Sequence, residues 1–342
     1  MLCLLYLFSA SVITIEAATH EDLTRLHEKL MANYNKDLRP TFNISQPTKV
    51  YLEFQLLSLR EFEEKTGKFA VVGMFAIFWH DFQMEWNPEN FGEIDHTFLP
   101  QSSVWTPDII LMNPFEKIEP PGFDRQKVGI YNSGLVIWGP DDVYEVTCQA
   151  DVTFYPFDQQ KCSLFFGLYM VTLIDVIIET FSDDIQTDFY YPNGIWALQN
   201  TTCEVYPVMN SPTLAVTIEI KRRPMFQVIN TIVPFSVLGL LNVLVFLLPA
   251  ESGERVGFTV TVLLAIAVFM SIVTETLPGA SEPSFPRLCY LLAAELCINA
   301  LVTVCTILIS RLNHKPKHET VPFWLQYISC KCICYHAKKQ NK

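Results

Sequence analysis

Apolar residues fall along this chain in two rhythms. Between about residues 48 and 221 they come in short runs that alternate with polar positions, whereas from 224 to 312 they crowd into three long runs. VYLEFQLLSL (50–59) and FAVVGMFAIFW (69–79) have the every-second-residue pattern of half-buried strands, with acidic EFEEKTG between them as a hairpin turn. Short strand-like runs and turn signals continue to residue 221 without a long helical period. That pattern predicts an all-β sandwich, antiparallel and immunoglobulin-like, of about two hundred residues. Ahead of it, LTRLHEKLM carries Leu at helical spacing and predicts a short surface helix over about 19–35, before Pro40. The three long runs predict an α-helical transmembrane bundle with three visible spans.

The second long run, ERVGFTVTVLLAIAVFMSIVTE (254–275), has one face unlike the others. Steps of three and four residues align Glu254, Gly257, Thr261, Leu264, Val268, Ser271 and Glu275. Acid stands at both ends of this stripe, small or polar groups low down, and Leu and Val in the middle. At about 1.5 Å per residue the helix is roughly 30 Å long, the thickness of a hydrocarbon core. A charged, hydroxylated stripe facing lipid is costly, so it belongs against protein or water. Two readings stand at this point: a buried helix with polar ends, or the wall of a cation pore with carboxylate rings and a greasy constriction.

Composition fixes the compartment. MLCLLYLFSASVITIEA (1–17) reads as a secretory signal peptide. Of the ten cysteines, Cys3 would leave with it, and Cys289, Cys297 and Cys305 sit in an apolar run. Cys148, Cys162 and Cys203 remain in the outer region, and an odd number implies one pair and one leftover thiol. Cys148 and Cys162 bracket CQADVTFYPFDQQKC, a loop whose closure stabilises by roughly 3 kcal/mol in the chain-entropy picture. Residues 18–223 hold 15 Lys and Arg against 29 Asp and Glu, while 313–342 hold six Lys against Glu319 alone. An acidic outer domain attracts cations, a basic tail belongs in the cytoplasm, and this balance argues against nucleic acid as a partner. No nucleophile–base motif, phosphate loop or metal spacing stands out, so neither an enzyme nor a cofactor is expected, and Asp108 and Asp158 read as turn acids. Asn43-Ile-Ser and Asn200-Thr-Thr are glycosylation sequons.

The Cys148–Cys162 stretch, with its Tyr155-Pro156-Phe157-Asp158 centre, closely resembles the signature of the Cys-loop (pentameric) ligand-gated ion channels. WNPENFGEI (86–94), VWTPDIILMN (104–113), YNSGLVIW (131–138), RRPMFQVINTIVPF (222–235) and GERVGFTVTVLL (253–264) resemble the nicotinic acetylcholine receptor branch, in order. The resemblance covers residues from about 20 to 327. It implies a signal peptide (1–17), an extracellular ligand-binding sandwich (18–223), a channel domain (224–312, spans near 225–248, 254–275 and 286–311) and a cytoplasmic basic tail (313–342). It also implies a Cys148–Cys162 disulfide and assembly of homologous subunits as a homo- or hetero-pentamer in the plasma membrane, with synaptic location as a further expectation. Glu254 would then form the inner selectivity ring, Glu275 the outer ring and Glu251 a cytoplasmic vestibule ring, with Leu264 and Val268 as gate. Gly257, Thr261 and Ser271 complete the pore lining. Arg222 lies where a buried pre-membrane arginine meets an acid of the first hairpin turn, which counts to Glu64. Phe157 and Asp158 would couple the loop to the linker LPGASEPSFP (277–286).

The ligand box departs from that branch. The family cages a quaternary ammonium in aromatic faces. Here Met112 stands for the first-loop tyrosine, Tyr169 for the second-loop tryptophan and Met74 for a tryptophan of the complementary face. Cys203 is alone where acetylcholine-binding subunits have two adjacent cysteines, although Tyr206 is kept. Methionine has no ring quadrupole, so such a cage binds a quaternary amine weakly. The chain therefore reads as a subunit of an acetylcholine receptor-like cation channel, taking acetylcholine or another small agonist. The alternative is a product lacking the family's fourth span that does not conduct and suppresses full-length partners. Lysine-flanked Cys330, Cys332 and Cys334 are either lipid-anchoring or plain cytosolic thiols.

Overall fold

Inward-facing residues Val50, Leu52, Phe54 and Leu56 alternate with less buried ones along β1 (Thr48–Glu63), which pairs antiparallel with β2 (Lys68–Glu85), Val50 opposite Trp79. Both strands run longer than the sequence pattern predicts. Phe62, still buried, continues the inward series, so only Glu64–Gly67 is left to turn, with Gly67 at φ +73°. The computed structural model describes residues 18–123, 125–248, 254–277 and 285–313. The expected signal segment, Glu251, most of the 277–286 linker and nearly all of the basic tail lie outside the described residues.

The described chain forms two units, one of 18–149 with 159–221 and the other of 150–158 with residues from 222 onward. In the first, β3 (His96–Pro100), β5 (Lys127–Tyr131), β6 (Ser133–Trp138), β2, β1 and β9 (Val176–Glu179) follow one another in a sheet that β7 (Asp141–Thr147) joins alongside β2. The second sheet has the order β10 (Trp196–Val208), β11 (Ser211–Arg222), β8 (Gln159–Leu168), β4 (Ile109–Leu111). Pairing is antiparallel as expected, except that β9 runs parallel to β1. Rings from both sheets meet in the middle: Phe75 lies 4.7 Å from Phe166 and Phe54 5.1 Å from Phe75, and Tyr144 packs on Phe166 at 5.0 Å. Such edge-to-face pairs each add about 0.5–1.5 kcal/mol beyond their burial. Gly73 leaves room for them, because a Cβ there would sit 2.3 Å from the Phe54 ring.

The N-terminal helix α1 (His20–Met31) begins at a capping box, in which the Asp22 N–H donates to Thr19 Oγ1 at 3.2 Å and the Thr19 N–H to the Asp22 carboxylate at 3.0 Å. It ends earlier than the sequence predicts, just before Asn33 at φ +65°.

Three helices of the second unit are long and apolar enough to cross a membrane: Met225–Leu247, Glu254–Glu275 and Arg287–Arg311. We call them spans one, two and three. Span one contains a π-helical turn at Val228–Ile232 just ahead of Pro234. Proline lacks an N–H and crowds the carbonyl four residues back, and the widened turn accommodates it.

Candidate functional site

The tip of the Cys148–Cys162 loop is tied into the second unit through its charges. Arg222 is 5% exposed, and its guanidinium grips Asp158 in a two-point ion pair, Nε to Oδ1 at 2.7 Å and Nη2 to Oδ2 at 3.0 Å. The same guanidinium lies 5.0 Å from the Tyr155 ring, and the Arg222 N–H donates to the Asp158 carbonyl at 3.1 Å. At the start of span three, the Arg287 N–H donates to the Thr153 carbonyl at 3.0 Å, while its guanidinium covers Phe154 at 4.4 Å. Phe157 is left 57% exposed. Sequence reasoning had Asp158 as a turn acid and a coupling residue, matched Arg222 with Glu64, and missed the pairing of Asp158 with Arg222; 64 residues separate the two. Glu64 lies in the β1–β2 turn.

The disulfide itself is present, with Cα atoms 5.4 Å apart, and Cys203 is the free thiol among the three outer cysteines. Burial, then Asp183 and Asp184, push the Cys203 thiol up to about 12. Its backbone N–H donates to the Asp183 carbonyl at 2.6 Å.

Four of the five ligand positions named from sequence sit on or beside the four-stranded sheet. Met112, just after β4, takes a hydrogen bond on sulfur from the Thr213 hydroxyl at 3.7 Å and lies across Gly167, where a Cβ would stand 2.4 Å from that sulfur. Tyr169, just after β8, donates its N–H to the Asp108 carbonyl at 3.0 Å and leaves its side chain 58% exposed. Cys203 and Tyr206 are on β10, the first buried and the second partly exposed. Met74 belongs to β2 in the other sheet, opposite Gln55 and Asp141, and is half-buried. Sequence reasoning missed the support beneath the VWTPD stretch: Tyr34 Oη donates to buried Asp81 at 2.8 Å and accepts from the Trp105 N–H at 3.0 Å. Burial raises both the Tyr34 and the Asp81 pKa.

On the helix Glu254–Thr276, the buried positions are Thr259, Val262, Ile266 and Val273. The stripe singled out from sequence is on the remaining surface. Glu254, Gly257, Thr261, Leu264, Val268, Ser271 and Glu275 are all exposed, although Val260, Ala267, Ile272 and Thr274 widen the uncovered arc. The hydroxyls in the stripe are satisfied by their own helix, Thr261 donating to the Gly257 carbonyl at 2.9 Å and Ser271 to Ala267 at 3.2 Å. Arg255 links the helix to the end of span one, donating from Nε to the Leu248 carbonyl at 2.6 Å.

The family model for the neurotransmitter-gated ion-channel ligand binding domain matches residues 23–224, and that for the neurotransmitter-gated ion-channel transmembrane region matches 231–341. The chain belongs to the neurotransmitter-gated ion-channel family. Among relatives, it is 30% identical over 321 residues to the human neuronal acetylcholine receptor subunit alpha-2, covering 90% of this chain and 59% of that one. Human neuronal acetylcholine receptor subunit alpha-3 is 28% identical over 340 residues, 95% of this chain and 65% of the relative. Acetylcholine receptor subunit alpha-type acr-16 of Caenorhabditis briggsae is 29% identical over 341 residues, 95% and 68%. The chain thus spans about three fifths of the length of the human subunits. As a neurotransmitter-gated ion-channel chain it falls among channels rather than enzymes. Residues 225–230, at the start of span one, lie between the two matched regions.

Proposed function

We propose that this chain is a subunit of an acetylcholine receptor-like, neurotransmitter-gated cation channel, multi-pass in the plasma membrane with its sandwich outside. The observation that carries the reading is the uncovered stripe of span two, with exposed Glu254 and Glu275 at its two ends and Leu264 and Val268 between them. Five homologous subunits around one axis would turn those residues into two rings of negative charge and an apolar constriction. Glu251 would add a third ring. The agonist is a small molecule held between subunits by Tyr169, Tyr206 and Met112 on one side and Met74 on the other. With methionines for two aromatic faces, it depends less on a quaternary ammonium than acetylcholine does. The Cys148–Cys162 loop relays binding to span two through Phe157, Asp158, Arg222 and Glu64, and glycans at Asn43 and Asn200 shape access from outside.

Voltage clamp of oocytes expressing the chain alone, and with a full-length acetylcholine-binding subunit, tests the proposal. The expected result is an agonist-evoked cation current that loses its cation preference in Glu254→Lys. No current from the chain alone, together with a co-expressed subunit giving a smaller current than it gives by itself, would overturn it in favour of a non-conducting partner.

A further inference from the structure

Among the described residues, Glu295 Oε1 on span three is a buried acceptor with no donor, as are Asn242 Oδ1 on span one and Asn299 Oδ1 one turn further along span three. The Asn299 amide is already engaged, donating to the Glu295 carbonyl at 2.8 Å, so its free end is the oxygen. Glu295 lays its carboxyl over Gly239, where a Cβ would stand 2.2 Å from Oε1. Beside the carboxyl, spans one and three enclose a cavity of about 410 Å³, lined chiefly by Ile232, Phe235, Leu288, Leu291, Leu292 and Ile298. Glu295 is the one charged residue among the described residues that line it. The Ser236 hydroxyl on the same wall is committed to the Ile232 carbonyl at 2.8 Å.

We propose that this cavity binds a lipophilic primary ammonium, its apolar body among the leucines and its charged head on the Glu295 carboxylate. An ionised carboxylate at membrane depth is expensive unless paired. Glu295, which lines the cavity, holds an acceptor oxygen without a donor, and an ammonium brings both the opposite charge and N–H donors. A lipid tail or an apolar helix filling the same space would leave the Glu295 acceptor without a donor. The volume lies within the range of small-molecule sites. The inference does not rest on conduction, because binding can be read whether or not a pore opens.

The test uses the full chain in phosphatidylcholine vesicles and two photoreactive probes of one skeleton, a diazirine-bearing 4-phenylbutylamine and the corresponding alcohol, with labelled residues mapped by mass spectrometry. The amine is expected to label Phe235, Leu291 or Leu292 saturably. The alcohol should do so with affinity weaker by about tenfold or more, and Glu295→Gln should bring the amine down to the alcohol's level. Equal labelling of the wild-type chain by amine and alcohol would overturn the proposal without recourse to any variant, as would undiminished amine labelling of folded Glu295→Gln. Leu291→Trp, which fills the cavity, should abolish labelling by the amine; persistence of labelling there would place the ligand elsewhere and also overturn it.

Discussion

Leu52 and Leu264 are the same side chain in two regions of one molecule, and their surroundings differ completely. Leu52, on β1 opposite Ile77, is 0% exposed between the two sheets, whereas Leu264, midway along span two, is 65% exposed. The sandwich hides its apolar side chains with its own strands, so an alternating pattern one chain long suffices to define it. The spans are apolar on nearly every side, and within this chain span two buries chiefly Thr259, Val262, Ile266 and Val273. Their remaining surface must be completed by lipid, water or other subunits. The contrast separates what a single chain can stabilise from what only an assembly can.

The largest effect should come where a charge is buried. Asp158→Ala leaves the Arg222 guanidinium without the carboxylate that holds it at 2.7 and 3.0 Å, and breaking a buried pair in this way costs about 3–5 kcal/mol. Thermal unfolding of the detergent-purified chain should show the loss. Replacing both members, Asp158→Asn with Arg222→Met, should recover part of it. An Asp158→Ala midpoint equal to wild type would mean that the pair is solvated.

The two leucines give the next test. Leu52→Ala should cost about 2–5 kcal/mol, because it removes buried atoms and opens a cavity between close-packed sheets. Leu264→Ala should stay within about 0.5 kcal/mol in the same unfolding measurement. Similar losses at the two sites would erase the distinction between a self-completed and an assembly-completed surface.

The same distinction explains how much could be read in advance. β1, β2 and the stripe of span two were legible because period two and period 3.6 are local properties of sequence. Strand ends were less so: Phe62 still points inward although charged residues flank it, and only the pairing with β2 shows that the strand continues. Contacts between distant segments were not legible at all. Nothing near Asp158 in sequence announces Arg222, and nothing in the apolar run around Glu295 announces Gly239 as its neighbour. The ligand positions were placed by resemblance, and the fold shows four of them at one sheet and Met74 on the other.

Cys203 offers a small stability effect and the finest discrimination. Its side chain is packed within the sandwich, so Cys203→Ala should cost only about 1 kcal/mol at pH 7. What distinguishes burial from mere lack of a partner is the pH profile. The thiol ionises ordinarily at 9.0 and in the folded chain at about 12, so keeping it neutral stabilises the fold fully below pH 9. That contribution is lost as pH rises from 9 towards 12, because the unfolded thiol then sheds its proton first. Unfolding curves of wild type should therefore decline more steeply than those of Cys203→Ala across this window, and alkylation of the native thiol at pH 8 should be slower than that of the denatured chain by a factor on the order of a thousand. Parallel pH profiles and rapid alkylation would show that β10 opens at Cys203, and that this part of the sandwich, like the spans, is completed from outside the chain.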